Sequence, residues 1–399
     1  MKISLVCPAS LPATPFGGIL FLGVHIASKL SDEGNEVTIY TSDLDFSNNE
    51  SFFNKSLPNV EKIKNFTIKR THVFWSIYLF FINPGMYFQM LHDSHDVIHI
   101  IGIRSFQALI GTLISKKKNI PLIISDQGGL TTHPDIKNSS VFKKFLIKLQ
   151  TPMIKFIVNQ ADLILAANEY EKKIFLNFCN SDKIKIVKNG IDLKELEISK
   201  IDFKKKYSIK NNYVLFLGRF HKVKGVDVFL HSINLIKNNP LVQNLDFVIF
   251  GADFGYEKEM MKLIDKLGIN GKIHVIKNSP RTDAISAYNE CKFLVLPSRW
   301  ELSPLTPLEG FAFKKAVIST TAHGIPYTLK NRKNSILVTP SDPHELANAI
   351  LELLTDSILC EKLGEYGNEC VVKQQNSDNM VKEIFQVYLE LEKSNKFST

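Results

Sequence analysis

Short apolar runs of four to six residues recur along the chain, separated by stretches with apolar positions at helical spacing. In the first half they are ISLV (3–6), VTIYT (37–41), VIHII (97–101), PLIIS (121–125) and LILAA (163–167). In the second half they are YVLFL (213–217), DFVIF (246–250), IHVI (273–276), FLVLP (293–297) and AVIS (316–319). Continuously apolar runs predict strands buried on both faces, and therefore parallel sheets covered by helices. Their alternation with helical patterns predicts a doubly wound α/β architecture. The pattern restarts near residue 211, after the charged, weakly periodic segment IDLKELEISKIDFKKKYSIKNN (191–212), which reads as an interdomain connection. Two α/β domains are expected, 1–205 and 206–377, with a cleft between them. Ligands of such sheets bind beyond the carboxyl ends of the strands, so the loops there are the expected binding positions.

Composition narrows the function classes. The 399 residues suffice for two domains, and the content, 44% hydrophobic and 22% charged, is that of a globular protein. The formal net charge is +9, with lysine clusters at 116–118 and 204–206. These read either as solvated surface or as attraction to phosphates, on a substrate or on an anionic membrane. Nucleic acid is not expected as a partner, since no binding motif accompanies the basic residues. The five cysteines, Cys7, Cys179, Cys291, Cys360 and Cys370, have no metal spacing and suit a reducing compartment. The N-terminal MKISLVCPAS reads as a strand, not as a signal peptide. VFWSIYLFFI (73–82) is about half the length of a membrane span.

Three loops at strand ends carry candidate chemistry. Gly17 and Gly18 precede a helical pattern, where backbone N–H groups can approach an anion, although a paired glycine also serves as a plain turn. The loop is too long for a dinucleotide fingerprint, which argues against a dinucleotide oxidoreductase. GRFHKVKG (218–225) places Arg219 and Lys224 just before a helix, against the helix dipole. A bound diphosphate would explain that arrangement, and exposed surface charge is the competing reading. In RWELSPLTPLEGFA (299–312), Thr306, Pro307 and Glu309 fit N-cap, N1 and N3 of a capping box. Glu309 thus has a purely local explanation. Glu301, in the loop before the helix, has none.

Taken together, these residues carry a resemblance to a family. The chain resembles the retaining glycosyltransferases of the GT-B fold, which include bacterial and archaeal mannosyl- and glucosyltransferases and sucrose-phosphate synthases. The matching segments are GG (17–18), DVIHIIGIRSFQA (96–108), KIVKNGIDL (185–193), GRFHKVKG (218–225), Glu301 and Glu309 as an E-x7-E pair, and AVISTTAHGIPY (316–327). The resemblance implies two Rossmann-like domains and transfer of a hexose from a nucleotide-diphosphate sugar to an acceptor hydroxyl. It implies that Arg219 and Lys224 grip the diphosphate and that Glu309 holds the ribose hydroxyls. Glu301 would lie beside the donor sugar, with backbone amides around Leu302, Ser303 and Leu305 binding its hydroxyls and phosphate. Gly17 and Gly18 would close over the diphosphate, and Gly18, Gln127 and Glu301 would make up the catalytic set. No cofactor or metal is implied, since the cationic groups neutralise the phosphates. The DLD triplet at 43–45, similar to a metal motif of another glycosyltransferase fold, reads as loop. A helix in 378–399 would pack back on the first domain.

Two positions depart from the family pattern. Gln127, in SDQGGLTTHP, stands where many relatives have a histidine. It can hydrogen-bond a sugar hydroxyl but takes no proton at neutral pH. His133 lies nearby in sequence without evidence of substituting for it. Leu302 stands where relatives often have glycine. THVFWSIYLFFINPGMYFQML (71–91) reads either as a buried helix and turn or as a hydrophobic face for a lipid-linked acceptor or membrane. The expected protein is a cytoplasmic glycosyltransferase at the inner face of the cell membrane, acting on a saccharide or lipid-linked acceptor. The competing reading is a noncatalytic sugar-nucleotide-binding or partner subunit of the same fold.

Overall fold

The computed structural model describes residues 1–47, 50–77, 80–130, 132, 134, 141–197, 201–277 and 279–396. The chain forms two compact units, one of Met1–Lys188 with Ser377–Thr399, the other of Asn189–Asn376.

The first unit is built on an eight-stranded sheet. Its order is Ile184–Ile186, Leu163–Ala166, Leu122–Ser125, Val97–Ile101, Lys2–Val6, Glu36–Ser42, Phe66–Thr71 and Val60–Ile63. All neighbours are parallel except the last pair. The helix Ser377–Lys396 belongs to this unit and buries Met380, Val381, Ile384, Val387 and Tyr388 against sheet residues such as Ile3, Leu5 and Ile101. Lys29 pairs with Asp378 at 2.6 Å, and the Tyr388 hydroxyl meets His99 Nδ1 at 2.6 Å.

The second unit has a six-stranded parallel sheet. Its order is Ile273–Lys277, Leu245–Gly251, Asn212–Leu217, Leu294–Leu296, Val317–Thr320 and Ser335–Val338. Alternate side chains of each strand enter two separate cores. Val214, Phe216, Phe247, Ile249 and Ile318 lie on one face, and Tyr213, Leu215, Val248, Phe250 and Val317 on the other. This two-faced burial is what the continuously apolar runs require.

Two expectations are corrected here. The boundary falls at Lys188/Asn189, earlier than the 205/206 read from the sequence. The supposed connector contains helices Leu193–Glu197 and Phe203–Lys206, whose Leu196 and Phe203 are buried in the second unit's core. The aromatic stretch is not a buried helix and turn. Trp75–Ile77 and Phe80–Ile82 pair as antiparallel strands, followed by the helix Gly85–His92. Phe74, Trp75 and Phe88 are exposed at 85%, 58% and 61%.

Candidate active site

In the second sheet, Asn212–Leu217 and Leu294–Leu296 are adjacent although two strands intervene in sequence. The strand order therefore reverses between them, and the loops leaving their carboxyl ends flank a topological switch point, where ligands of such folds bind. Those loops are 218–225 and 297–305. Arg299 fastens one to the other. Its guanidinium pairs with both carboxylate oxygens of Asp227 at 2.7 Å and donates to the Lys222 carbonyl at 2.7 Å. Its backbone N–H donates to the Val223 carbonyl at 2.7 Å. Such a bidentate pair fixes orientation as well as distance.

The clamp brings Lys224 and Glu301 together, 77 residues apart in sequence. Lys224 Nζ lies 2.5 Å from Glu301 Oε1, which also accepts from the Ser298 hydroxyl at 2.9 Å. The side chains are only 18% and 10% exposed, so the pair sits in a largely desolvated place where charge interactions are strong. Arg219 is exposed, with its guanidinium 4.9 Å over the Phe254 ring. Leu302 is buried, and Ser303 and Leu305 are half-buried. The loop is held from behind by AHGIPY: Gly324 N–H donates to the Glu301 carbonyl at 2.9 Å. A Cβ on Gly324 would stand 1.7 Å from the Leu302 carbonyl oxygen, so only glycine admits this approach.

The capping-box expectation fails. The helix runs Thr306–Ala312 with Leu305 at the N-cap position and no side-chain cap. Glu309 is therefore one position further into the helix, and its N–H bonds to the Leu305 carbonyl at 3.0 Å. Its carboxylate is drawn to stronger partners. Arg281 reaches both oxygens, at 2.5 and 3.2 Å, and the Tyr288 hydroxyl donates to Oε2 at 2.6 Å. Burial lowers the Arg281 pKa and Glu309 more than offsets this, so the guanidinium stays charged. Burial first, and Glu309 second, hold the Tyr288 phenol protonated.

The first unit carries the remaining candidates at the ends of its own strands. Gly17, with φ of 95°, is the N-cap residue of the helix Gly18–Asp32 and adopts a conformation open to glycine. Gln127 follows the strand Leu122–Ser125 with φ of 56°, and its N–H donates to Glu171 Oε1 at 3.1 Å. Glu171, buried in the helix Glu169–Phe175, also accepts from Ala167 N–H at 2.6 Å. Burial pushes its pKa up to about 8, and neighbouring Asp126 adds to the shift. Asp126 is itself raised by burial, while accepting from the N–H groups of Gly128 and Leu130 and feeling the charge of Arg104. His133 lies outside the described residues.

Asp43 and Asp45 of the DLD triplet are engaged internally. Asp43 meets His72 Nδ1 at 2.5 Å, and Asp45, within the strand Leu44–Ser47, accepts from Asn54 at 2.9 Å. Among the described residues no cluster of three His, Cys, Asp or Glu could hold a metal ion. Arg299, Asp227, Arg281, Tyr288 and Glu171 had no signal in the sequence, because each acts through a partner brought close only by folding.

The comparisons agree with this geometry. Residues 16–195 match the Glycosyltransferase Family 4 model, and residues 197–370 match the model for Glycosyl transferases group 1. D-inositol 3-phosphate glycosyltransferase of Thermobifida fusca is 24% identical, over 90% of this chain and 86% of its own. Among solved structures, sucrose-phosphate synthase from Thermosynechococcus elongatus superposes with a TM-score of 0.76 at 17% identity, covering 98% of this chain and 99% of that one. Anabaena HepE in complex with UDP-glucose gives 0.73 at 17% identity, covering 98% and 100%. With two largely parallel sheets, two family models in tandem and the fold shared with these enzymes, the chain belongs to the glycosyltransferases of the GT-B fold.

Proposed function

We propose that the protein is a retaining, metal-independent hexosyltransferase. Its donor is a nucleotide-diphosphate sugar and its acceptor a hydroxyl on a growing glycan, polysaccharide or lipid-linked saccharide. The observation that carries the reading is the Lys224–Glu301 pair, at 2.5 Å beside the switch point of the second sheet. A Lys ammonium has three donors, so Lys224 can keep Glu301 and still bind a phosphate oxygen. Arg219 adds a planar guanidinium suited to bidentate phosphate contact. Backbone amides of Leu302, Ser303 and Leu305 complete the donor contacts, and Glu309 accepts from the ribose. That HepE is described with UDP-glucose supports a donor of this class.

In the reaction, the bond from the anomeric carbon to the leaving phosphate breaks. A bond to the acceptor oxygen forms on the same face, and the acceptor proton passes to the leaving phosphate. Gln127 takes no proton at neutral pH, so its part is limited to hydrogen bonding. Charge develops on the phosphate, where Lys224 and Arg219 stabilise it without a metal. Gly17 and Gly18 are assigned to the diphosphate on the resemblance alone. The test is a panel of nucleotide sugars, read for donor hydrolysis and transfer, with product configuration read by NMR. Absence of turnover and binding for every donor would reject the enzyme, and an inverted product would reject retention.

The proposed location is the cytoplasm, with contact to the inner face of the cell membrane through Phe74, Trp75 and Phe88. Exposed aromatics beside lysines such as Lys117 suit a membrane interface with anionic lipid.

A further inference from the structure

The two oxygens of Glu309 offer about four acceptor positions in an ionised carboxylate. Three donors already use them: Arg281 Nη2 on Oε1 at 2.5 Å, Arg281 Nη1 on Oε2 at 3.2 Å, and the Tyr288 hydroxyl on Oε2 at 2.6 Å. Oε2 is therefore filled, and one position remains on Oε1. Arg281 is itself held in place, since its Nε donates to Glu195 Oε1 at 3.3 Å. Tyr288 is fixed by burial and by stacking on Phe313, with ring planes 10° apart. Glu309 keeps 13% of its side-chain surface and Arg281 34%, so the network retains accessible surface.

A fork of this kind fixes the plane of the carboxylate, which a single ammonium cannot do. We infer that Arg281 is a positioning residue for donor recognition: it holds Glu309 so that Oε1 accepts one hydroxyl of the donor ribose. The inference rests on the ribose role given to Glu309 above. Its consequence is specificity. A site with one oriented acceptor rejects a nucleotide lacking the matching hydroxyl, because that acceptor is then left unpaired. An ion pair that only fastened the helix Arg281–Glu290 to the helix Thr306–Ala312 would alter stability and leave the choice between ribose and deoxyribose untouched.

The experiment measures binding of UDP and GDP, each as ribonucleotide, 2′-deoxy and 3′-deoxy form, to the full chain. The proteins are wild type, Arg281→Gln, Arg281→Lys, Glu309→Gln and the Arg281→Gln/Glu309→Gln double variant, with thermal unfolding measured alongside. Wild type should prefer one base and favour its ribonucleotide over one deoxy form by about tenfold or more. Arg281→Gln should erase most of that preference, and Arg281→Lys should retain only part of it. The double variant should discriminate no worse than Glu309→Gln alone, since the two residues act through one contact. If Arg281→Gln fails to fold, Arg281→Lys and Tyr288→Phe carry the test, with reduced preference expected in both. Wild-type discrimination in folded Arg281 variants, or losses that multiply in the double variant, would overturn the inference. Failure of wild type to bind UDP or GDP in any form, together with absent binding and turnover across the panel of nucleotide sugars, would reject the donor reading itself, a separate and recognisable result.

Discussion

Lys224 Nζ rests 2.5 Å from Glu301 Oε1, in a contact made by two loops that meet only because the strand order of the second sheet reverses between them. The lysine expected to hold phosphate and the glutamate expected beside the sugar are thus paired within the fold itself. Removing one leaves the other partly buried and unpaired, which is costly. Lys224→Ala should weaken nucleoside-diphosphate binding by about 10- to 100-fold, the worth of one charged hydrogen bond. Lys117, which donates to the Tyr87 hydroxyl at 3.2 Å in the first unit, is the control. Equal losses in Lys117→Ala, measured by calorimetry at one ionic strength, would reduce the effect to general charge.

The carbonyls of Glu301 and Leu302 are held against Gly324, where an added Cβ would meet the Leu302 oxygen at 1.7 Å. Neither atom belongs to a flexible side chain, so the loop must move. Gly324→Ala should destabilise the protein by about 2 kcal/mol or more and displace the donor loop. Thermal unfolding and the KM for donor should both change. An unaltered KM in a folded variant would show that the loop accommodates the methyl without losing its shape.

The ten apolar runs all became strands, most of them because burial on both faces leaves an uninterrupted signal, although Ile273–Lys277, at the edge of its sheet, is largely half-buried. Phe66–Thr71 and Val60–Ile63 gave a weaker one, since their second faces are partly exposed and polar residues interrupt them. The site divides along the same line. Arg219, Lys224 and Glu301 were legible because they occupy loops at strand ends, where the sheet itself dictates the position of ligands. The T-x-x-E signature at 306–309 was locally sound, yet Arg281, 28 residues away, offers Glu309 two charged hydrogen bonds, and tertiary contact prevailed. Nothing near Glu171 in sequence announces that Gln127 will donate to it across 44 residues.

Glu171 makes stability depend on pH. Its folded pKa of about 8 lies above the ordinary carboxyl value of 4.5, so the native state binds the proton more tightly than the unfolded chain. The stabilisation is fully present below pH 4.5 and is lost as pH rises through 8. Asp126, also raised by burial, contributes with the same sign. Melting temperature should therefore fall across this window, and Glu171→Gln, which carries no charge at any pH, should flatten the fall. An identical slope in the variant would place the titration elsewhere.

Neutralisation by Lys224 and Arg219 leaves no task for a divalent ion in the proposed reaction. Turnover measured in excess chelator should equal that in manganese or magnesium. Activity lost to chelation and restored by manganese would overturn the metal-independent reading while leaving the fold assignment intact.

Phe74, Trp75 and Phe88 expose apolar area in the segment 71–91, where burial was one of two readings. Moving a Phe and a Trp from water into an interface is worth about 3 kcal/mol together, on the order of a hundredfold in partition. Phe74→Ser/Trp75→Ser should therefore cosediment far less with vesicles containing phosphatidylglycerol, while donor hydrolysis in solution is preserved. Raising salt should weaken wild-type binding as well, through lysines such as Lys117 that carry the electrostatic share. Cosedimentation that is unchanged in the double variant would remove Phe74 and Trp75 from vesicle binding.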